Sequence, residues 1–200
     1  MSNAVSTSPF PKRLKEATST LHQELENLPI SSSLLKSEIT TDDYLKYLDL
    51  MHDVIRDVET NVFPLLSSEI EDLEQRRKTK LIEQDFIRLS YSKSDYTSIF
   101  KNLDKSTSTA FAFGVLYVIE GSSLGGRVIY KHVNKQLGYD KDSGAAYFAG
   151  YGEETGALWK NFMTVLVAYE EYHKTSEEII AGANYTFQAI KKHFEGGAEL

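Results

Sequence analysis

FAFGVLYVIEGSSLGGR, residues 111–127, decides how the rest of the chain is read. Its first half is apolar at nearly every position from Phe111 to Ile119, and its second half carries Gly121, Gly125 and Gly126 beside Ser122 and Ser123. A helix that is apolar on nearly all sides belongs at the centre of a protein. Glycine inside a helix costs about 1 kcal/mol relative to alanine, so three in six residues need an offsetting reason. Either the helix ends or kinks there, or another backbone packs closely, or a flat ligand lies against bare main chain. Gly114, Gly121 and Gly125 are seven and four residues apart. That spacing puts them on one side of a helix and opens a shallow groove without Cβ atoms.

Outward from this stretch, helical periodicity continues in both directions. The central helix is expected from about Thr107 to Leu137, with Gly138 as its stop. An amphipathic helix over about 11–28 places Leu14, Ala17, Leu21, Leu25 and Leu28 on one stripe and ends at Pro29 and Ser31–Ser33. Thr40, Thr41 and Asp42 offer caps for a helix to about Phe63, where Pro64 stops it; Leu45, Leu48, Met51, Ile55 and Val58 mark its buried face. A third helix, 70–89, turns Leu73, Leu81, Ile82, Phe86 and Leu89 inward and leaves EDLEQRRKTK in water. A short piece at 95–103 precedes the central helix. After it, Tyr139, Tyr147, Phe148 and Tyr151 mark 139–156 as a loop packed onto the body, and helices at 154–173 and 176–194 finish the chain. No stretch alternates as a strand does, so the fold class is all-α: a single multihelical domain over 1–200, with about 1–10 and 195–200 as flexible ends.

Composition narrows the chemistry. At 200 residues, 41% hydrophobic and 26% charged, this is an ordinary globular chain, and no apolar run reaches the roughly 20 residues of a membrane span. The N-terminal MSNAVSTSPF lacks the pattern of a cleavable signal, which points to a cytoplasmic protein. The absence of cysteine excludes disulfides, thiolate metal sites and cysteine nucleophiles. A net charge of −7 argues against nucleic acid or an anionic membrane as the principal partner, since both are bound through accumulated Lys and Arg.

Two kinds of constellation remain. In LKEATSTLHQELE, residues 14–26, Lys15 and His22 are seven residues apart, so they share a helix face and are separated by about 10.5 Å of rise. That suits a ligand with a metal at its centre and carboxylates at its edge; an ordinary, partly exposed histidine is the alternative. Glu26, one turn beyond His22, can hold the second ring nitrogen, as metal-bound imidazoles require. Asp49-x-x-His52 and Glu170-x-x-His173 have the spacing used by non-haem di-iron oxidases of helical architecture. The same pairs also arise by chance in a chain with 29 acidic residues, leaving His52 and His173 as exposed or capping side chains.

LKEATSTLHQELE together with LYVIEGSSLGG, residues 116–126, and the late ANYTFQAIKKHF, residues 183–194, resembles the haem oxygenases, in their bacterial biliverdin-producing branch. The resemblance implies opening of haem b to biliverdin with release of carbon monoxide and ferrous iron, driven by O2 and by electrons from an external reductase or ferredoxin. It implies His22 as the proximal iron ligand and 117–126 as a kinked distal helix over the porphyrin. Lys15 and Tyr117 match positions that meet haem propionates, and Thr18, Glu26 and Gly126 fall on the same haem-binding elements. Gly121, Ser122 and Gly125, with His22, become the catalytic set. A biliverdin acceptor such as a bacterial phytochrome is an implied partner, as is the electron donor. The chain departs from the animal-type pattern, which has an aspartate where Ser122 stands. A haem-binding protein without turnover would need the same Lys15, His22 and Tyr117.

Overall fold

The computed structural model describes residues 8–197, and among them there is no strand. Helix α1 (Phe10–Glu26) opens with Pro11 in its first turn, where a missing N–H is harmless. Its buried seam is Phe10, Leu14 and Thr18. The expected stripe is only partly right: Leu21, Leu25 and Leu28 are half-buried and Ala17 is exposed, because α1 offers one narrow edge to its neighbours. Pro29 does not simply end the helix. It starts a separate short one, α2 (Pro29–Ser33).

Helix α3 (Thr41–Asp57) has a complete capping box, in which Thr40 and Asp43 each take the other's backbone N–H at 3.1 Å. Leu48, Met51 and Ile55 are buried as expected, but the helix does not continue unchanged to Phe63. Residues Val58–Val62 form a π-helical turn, after which Pro64 sits in the first turn of α4 (Phe63–Leu66). Proline removes the bond to the carbonyl four residues back and crowds it, and the wider turn accommodates both effects.

The expected helix over 70–89 is the clearest correction. A 3₁₀ turn covers Leu73–Arg76, the chain breaks, and α5 runs Thr79–Arg88. Glu59, presented by the π turn, accepts from the N–H groups of Lys78 at 2.5 Å and Thr79 at 2.9 Å and so caps α5. Nor is EDLEQRRKTK a solvated face throughout: Arg76 is 1% exposed and Lys78 4%. Both turn inward to the carboxylate of Glu120. Residues 95–103 form no helix; Asp57 accepts from Ser98 Oγ and from the N–H groups of Ile99 and Phe100.

The centre is α6 (Thr109–Leu137), which begins at the Ser108 cap and ends at Gly138 in the left-handed conformation, φ 75°. Behind it lie α7 (Ala146–Ala149), α8 (Thr155–His173) and α9 (Ser176–Gly197). Helices α6 and α9 touch through main chain. A Cβ on Gly114 would stand 2.0 Å from the Ile179 carbonyl oxygen, and one on Gly182 would stand 2.1 Å from that of Phe111. Gly114 therefore belongs to helix packing and leaves the expected groove to the other glycines.

The 139–156 segment packs onto the body as expected, with Tyr147 and Phe148 buried. Its anchor is Asp85 of α5, fully buried, which accepts from the N–H groups of Ala146 at 2.7 Å and Tyr147 at 2.9 Å. Burial pushes its carboxyl up to about 6 from 3.8. The folded state thus keeps a proton that the unfolded chain releases above pH 4. This contribution to stability is present below pH 3.8 and is lost as pH rises through about 6, a change on the order of 2–3 kcal/mol. Urea unfolding of Asp85→Asn and wild type should show the difference between them moving in the variant's favour from pH 4.5 to 7.5. Asp85→Ala leaves two buried donors without an acceptor and should lose about 1–3 kcal/mol throughout that range.

Candidate functional site

Helix α1 meets α6 at Thr18 and Tyr117. Thr18 is 3% exposed and donates to Leu14 O at 2.9 Å, and its hydroxyl lies near the half-buried Tyr117 phenol. Burial raises the Tyr117 pKa, with Thr18 working the other way. The Tyr117 ring lies 5.6 Å from Trp159 of α8. His22 and Gly121 each stand four residues, one helical turn, beyond this junction on their own helices.

The His22 side chain is 55% exposed, with its ring 5.6 Å from Phe187 of α9 and Nε2 3.3 Å from a Glu26 oxygen. One ring nitrogen is thus beside a carboxylate, and among the described residues nothing engages the other. An ion pair of 2.8 Å between Lys191 and Glu24 fastens α1 to α9 alongside. Lys15, two turns before His22, is exposed and forms no ion pair among the described residues.

The glycines of α6 divide by what surrounds them. A Cβ on Gly121 would lie 3.6 Å from the Trp159 ring, an ordinary contact, and one on Gly125 would meet nothing within 4 Å. Gly126 is buried and turned to Phe148 instead. Ser122 is exposed and donates to Ile119 O at 2.7 Å, while Ser123 donates to Glu120 O. Each hydroxyl has its proton committed to the backbone and keeps lone pairs for a donor such as water. The helix itself runs unbroken through all three glycines.

The fold thus brings Thr18 and Tyr117 together where α1 meets α6, sets His22 beside Glu26 and the Phe187 ring of α9, leaves Gly125 and Ser122 open on α6, and keeps Gly126 within the body. These features fit haem: an imidazole at an accessible face, a carboxylate beside it, an aromatic ring against it, and, on α6, a helix turn with free space where a side chain would stand. The di-iron alternative finds no such convergence. Asp49 pairs with Lys93 at 2.7 Å, and Glu170 accepts from Ser176 at 2.5 Å. His52, expected to be exposed or capping, is buried against Phe86 at 5.7 Å. Among the described residues no three acidic or histidine side chains are placed to hold a metal ion.

A cleft of about 1100 Å³ lies elsewhere, between α3, α9 and the 91–102 segment, and its lining includes none of Thr18, His22, Glu26, Tyr117, Gly121 and Gly125. At its floor Lys93 Nζ lies 3.1 Å and His193 Nε2 3.2 Å from Asp53. Sequence reasoning passed over Glu120, which is 1% exposed and receives Arg76 at 2.5 Å and Lys78 at 2.7 Å. The signal was present: Glu120 is the only charged residue between Ser108 and Gly126. A lone carboxylate in an apolar helix needs a buried partner.

The family model for Heme oxygenase matches residues 8–196. A curated Heme oxygenase of Xanthomonas campestris pv. campestris (strain 8004) is 38% identical over 92 residues, which is 44% of this chain and 50% of its own length, so the chain spans about half of that relative. The NO- and CO-bound heme oxygenase of Neisseria meningitidis has a TM-score of 0.80 at 26% identity, covering 96% of this chain and 93% of that one. Heme oxygenase-1 of Synechocystis sp. PCC6803, solved with heme, shares the fold at a TM-score of 0.72 and 17% identity, over 94% and 92% of the two chains. A model match over nearly the whole chain, on an all-helical frame with an accessible histidine on its first helix and a glycine-rich turn on its central one, makes this chain a member of the heme oxygenase family.

Proposed function

We propose that the protein opens haem to biliverdin, consuming O2 and electrons from a separate reductase or ferredoxin and releasing carbon monoxide and ferrous iron. A bacterial phytochrome or similar biliverdin acceptor fits as the consumer, and a cysteine-free chain fits the cytoplasm. The observation that carries this reading is the accessible His22 imidazole one turn from the Thr18–Tyr117 junction on α1, with open space at Gly125 two turns past the same junction on α6.

Bound haem supplies the iron, the O2 site and the macrocycle that is cleaved, being cofactor and substrate at once. His22 would ligate the iron through one imidazole nitrogen, with Glu26, 3.3 Å from the other, accepting its proton and so fixing the tautomer. Lys15 and the Tyr117 hydroxyl would hold the haem propionates. Gly121 and Gly125 let main chain approach the distal side where any larger residue would stand off. Ser122, its proton on Ile119 O, accepts from a water molecule and orients it.

Hemin titration followed by reductant under O2 tests the reading. The expected result is a Soret band that forms, then decays as biliverdin absorption grows and carbon monoxide is released; a band that persists without biliverdin would mean binding without turnover. Gly125→Ala sharpens the test. Its methyl meets nothing in the protein, so the apoprotein should gain up to about 1 kcal/mol in urea unfolding through helix propensity. Haem opening should nevertheless slow about ten- to hundredfold, since the methyl intrudes on the distal space. Equal turnover would remove Gly125 from the site.

A further inference from the structure

One buried charge cluster has no part in the reaction just described. Glu120 Oε2 accepts from Arg76 Nη1 at 2.5 Å, and Oε1 accepts from Lys78 Nζ at 2.7 Å and from the Tyr151 hydroxyl at 2.8 Å. The Arg76 guanidinium is wholly enclosed; it also donates twice to Asp72 at 2.8 Å and to the Leu158 carbonyl at 3.2 Å. Burial beside the Glu120 carboxylate holds the Tyr151 phenol far above its usual pKa, so it remains a donor. Three separate segments, the 73–76 turn, the start of α5 and the loop before α8, converge on one carboxylate of α6, and α8 joins them through the Leu158 carbonyl held by Arg76.

Such a cluster is a poor way to gain stability. Desolvating each charge costs several kcal/mol, and apolar side chains of similar volume fill such sites as well or better. What charges add is directional restraint. The restraint acts at a telling place: Glu120 is bonded to Gly121, Gly121 faces Trp159, and the carbonyl next to Trp159 is held by the same guanidinium. Without side chains of their own to interlock, the glycine turns of α6 are set from behind.

We propose that Glu120 is a positioning residue: gripped by Arg76 and Lys78, it fixes the rotation and depth of α6 at Gly121–Gly125, and so the height and tilt of the distal wall. The inference rests on the haem-opening reading for its consequence, but its mechanical part concerns the apoprotein and is tested there. Hydrogen exchange is measured on apo wild type, Glu120→Gln, and an apolar replacement of the cluster, R76M/K78M/E120L, which keeps the site filled if the single variant does not fold. Amides of 121–128 should exchange at least about tenfold faster in the variants while those of α9 stay unchanged. Unchanged exchange at 121–128, or acceleration spread evenly over the chain, overturns the proposal. In the haem complexes, the C–O stretching frequency of the ferrous carbon monoxide form and the ratio of biliverdin isomers should both shift with the His22 ligation intact; both unmoved would also overturn it. Failure of wild type to form a Soret band would instead sink the haem reading and leave the exchange result standing.

Discussion

Gly114→Val should leave little or no folded protein, with a loss of stability of more than about 4 kcal/mol. Its Cβ would stand 2.0 Å from the Ile179 carbonyl oxygen and 2.7 Å from the Ala183 nitrogen. Both are backbone atoms of α9, so no side chain can swing aside, and the two helices would have to separate. Gly182 is the reciprocal contact, and parting the pair would loosen the fully buried Phe113 and Ala183 on either side. Urea unfolding with far-UV circular dichroism checks this, and Gly114→Ala gives the graded case. Alanine gains about 1 kcal/mol in helix propensity, so a variant as stable as wild type would mean that α6 and α9 do not touch as described.

His22→Ala should weaken hemin binding at least about a hundredfold and abolish turnover, while leaving the fold within about 0.5 kcal/mol of wild type. The two effects separate because the side chain is 55% exposed and rests against the Phe187 ring and the Glu26 carboxylate. Removing it makes no sizeable cavity. Added imidazole should restore the Soret band in the variant by entering the space left behind, which no purely structural role for His22 would produce. Unaltered affinity would show that iron is held by some other group.

Most of the frame was legible because helices announce themselves locally. The capping box of Thr40 and Asp43, the Ser108 cap and the left-handed Gly138 bound their helices through contacts within a few residues. The central position of α6 followed from an apolar run that no amphipathic surface could carry. For the site, spacings of seven and four put Lys15 with His22 and Gly121 with Gly125, and the resemblance supplied their roles. The failures have one physical origin, interaction between parts of the chain far apart in sequence. The run EDLEQRRKTK looked solvated because the buried carboxylate that takes Arg76 and Lys78, Glu120, lies more than 40 residues away. The break before α5 depends on Glu59, about 20 residues upstream, and no periodicity reports a carboxylate arriving from another element. Gly114 shared a stripe with Gly121 and Gly125 but serves packing, a distinction only the neighbouring helix draws.

The most direct test of the account is a crystal structure of the protein reconstituted with hemin. It predicts iron bound to an imidazole nitrogen of His22, the Glu26 carboxylate on the ring's other nitrogen, and main chain of Gly121 and Gly125 over the opposite face of the porphyrin. Hemin ligated by any other residue, or His22 still turned to solvent with the space beside Gly125 empty, would contradict it.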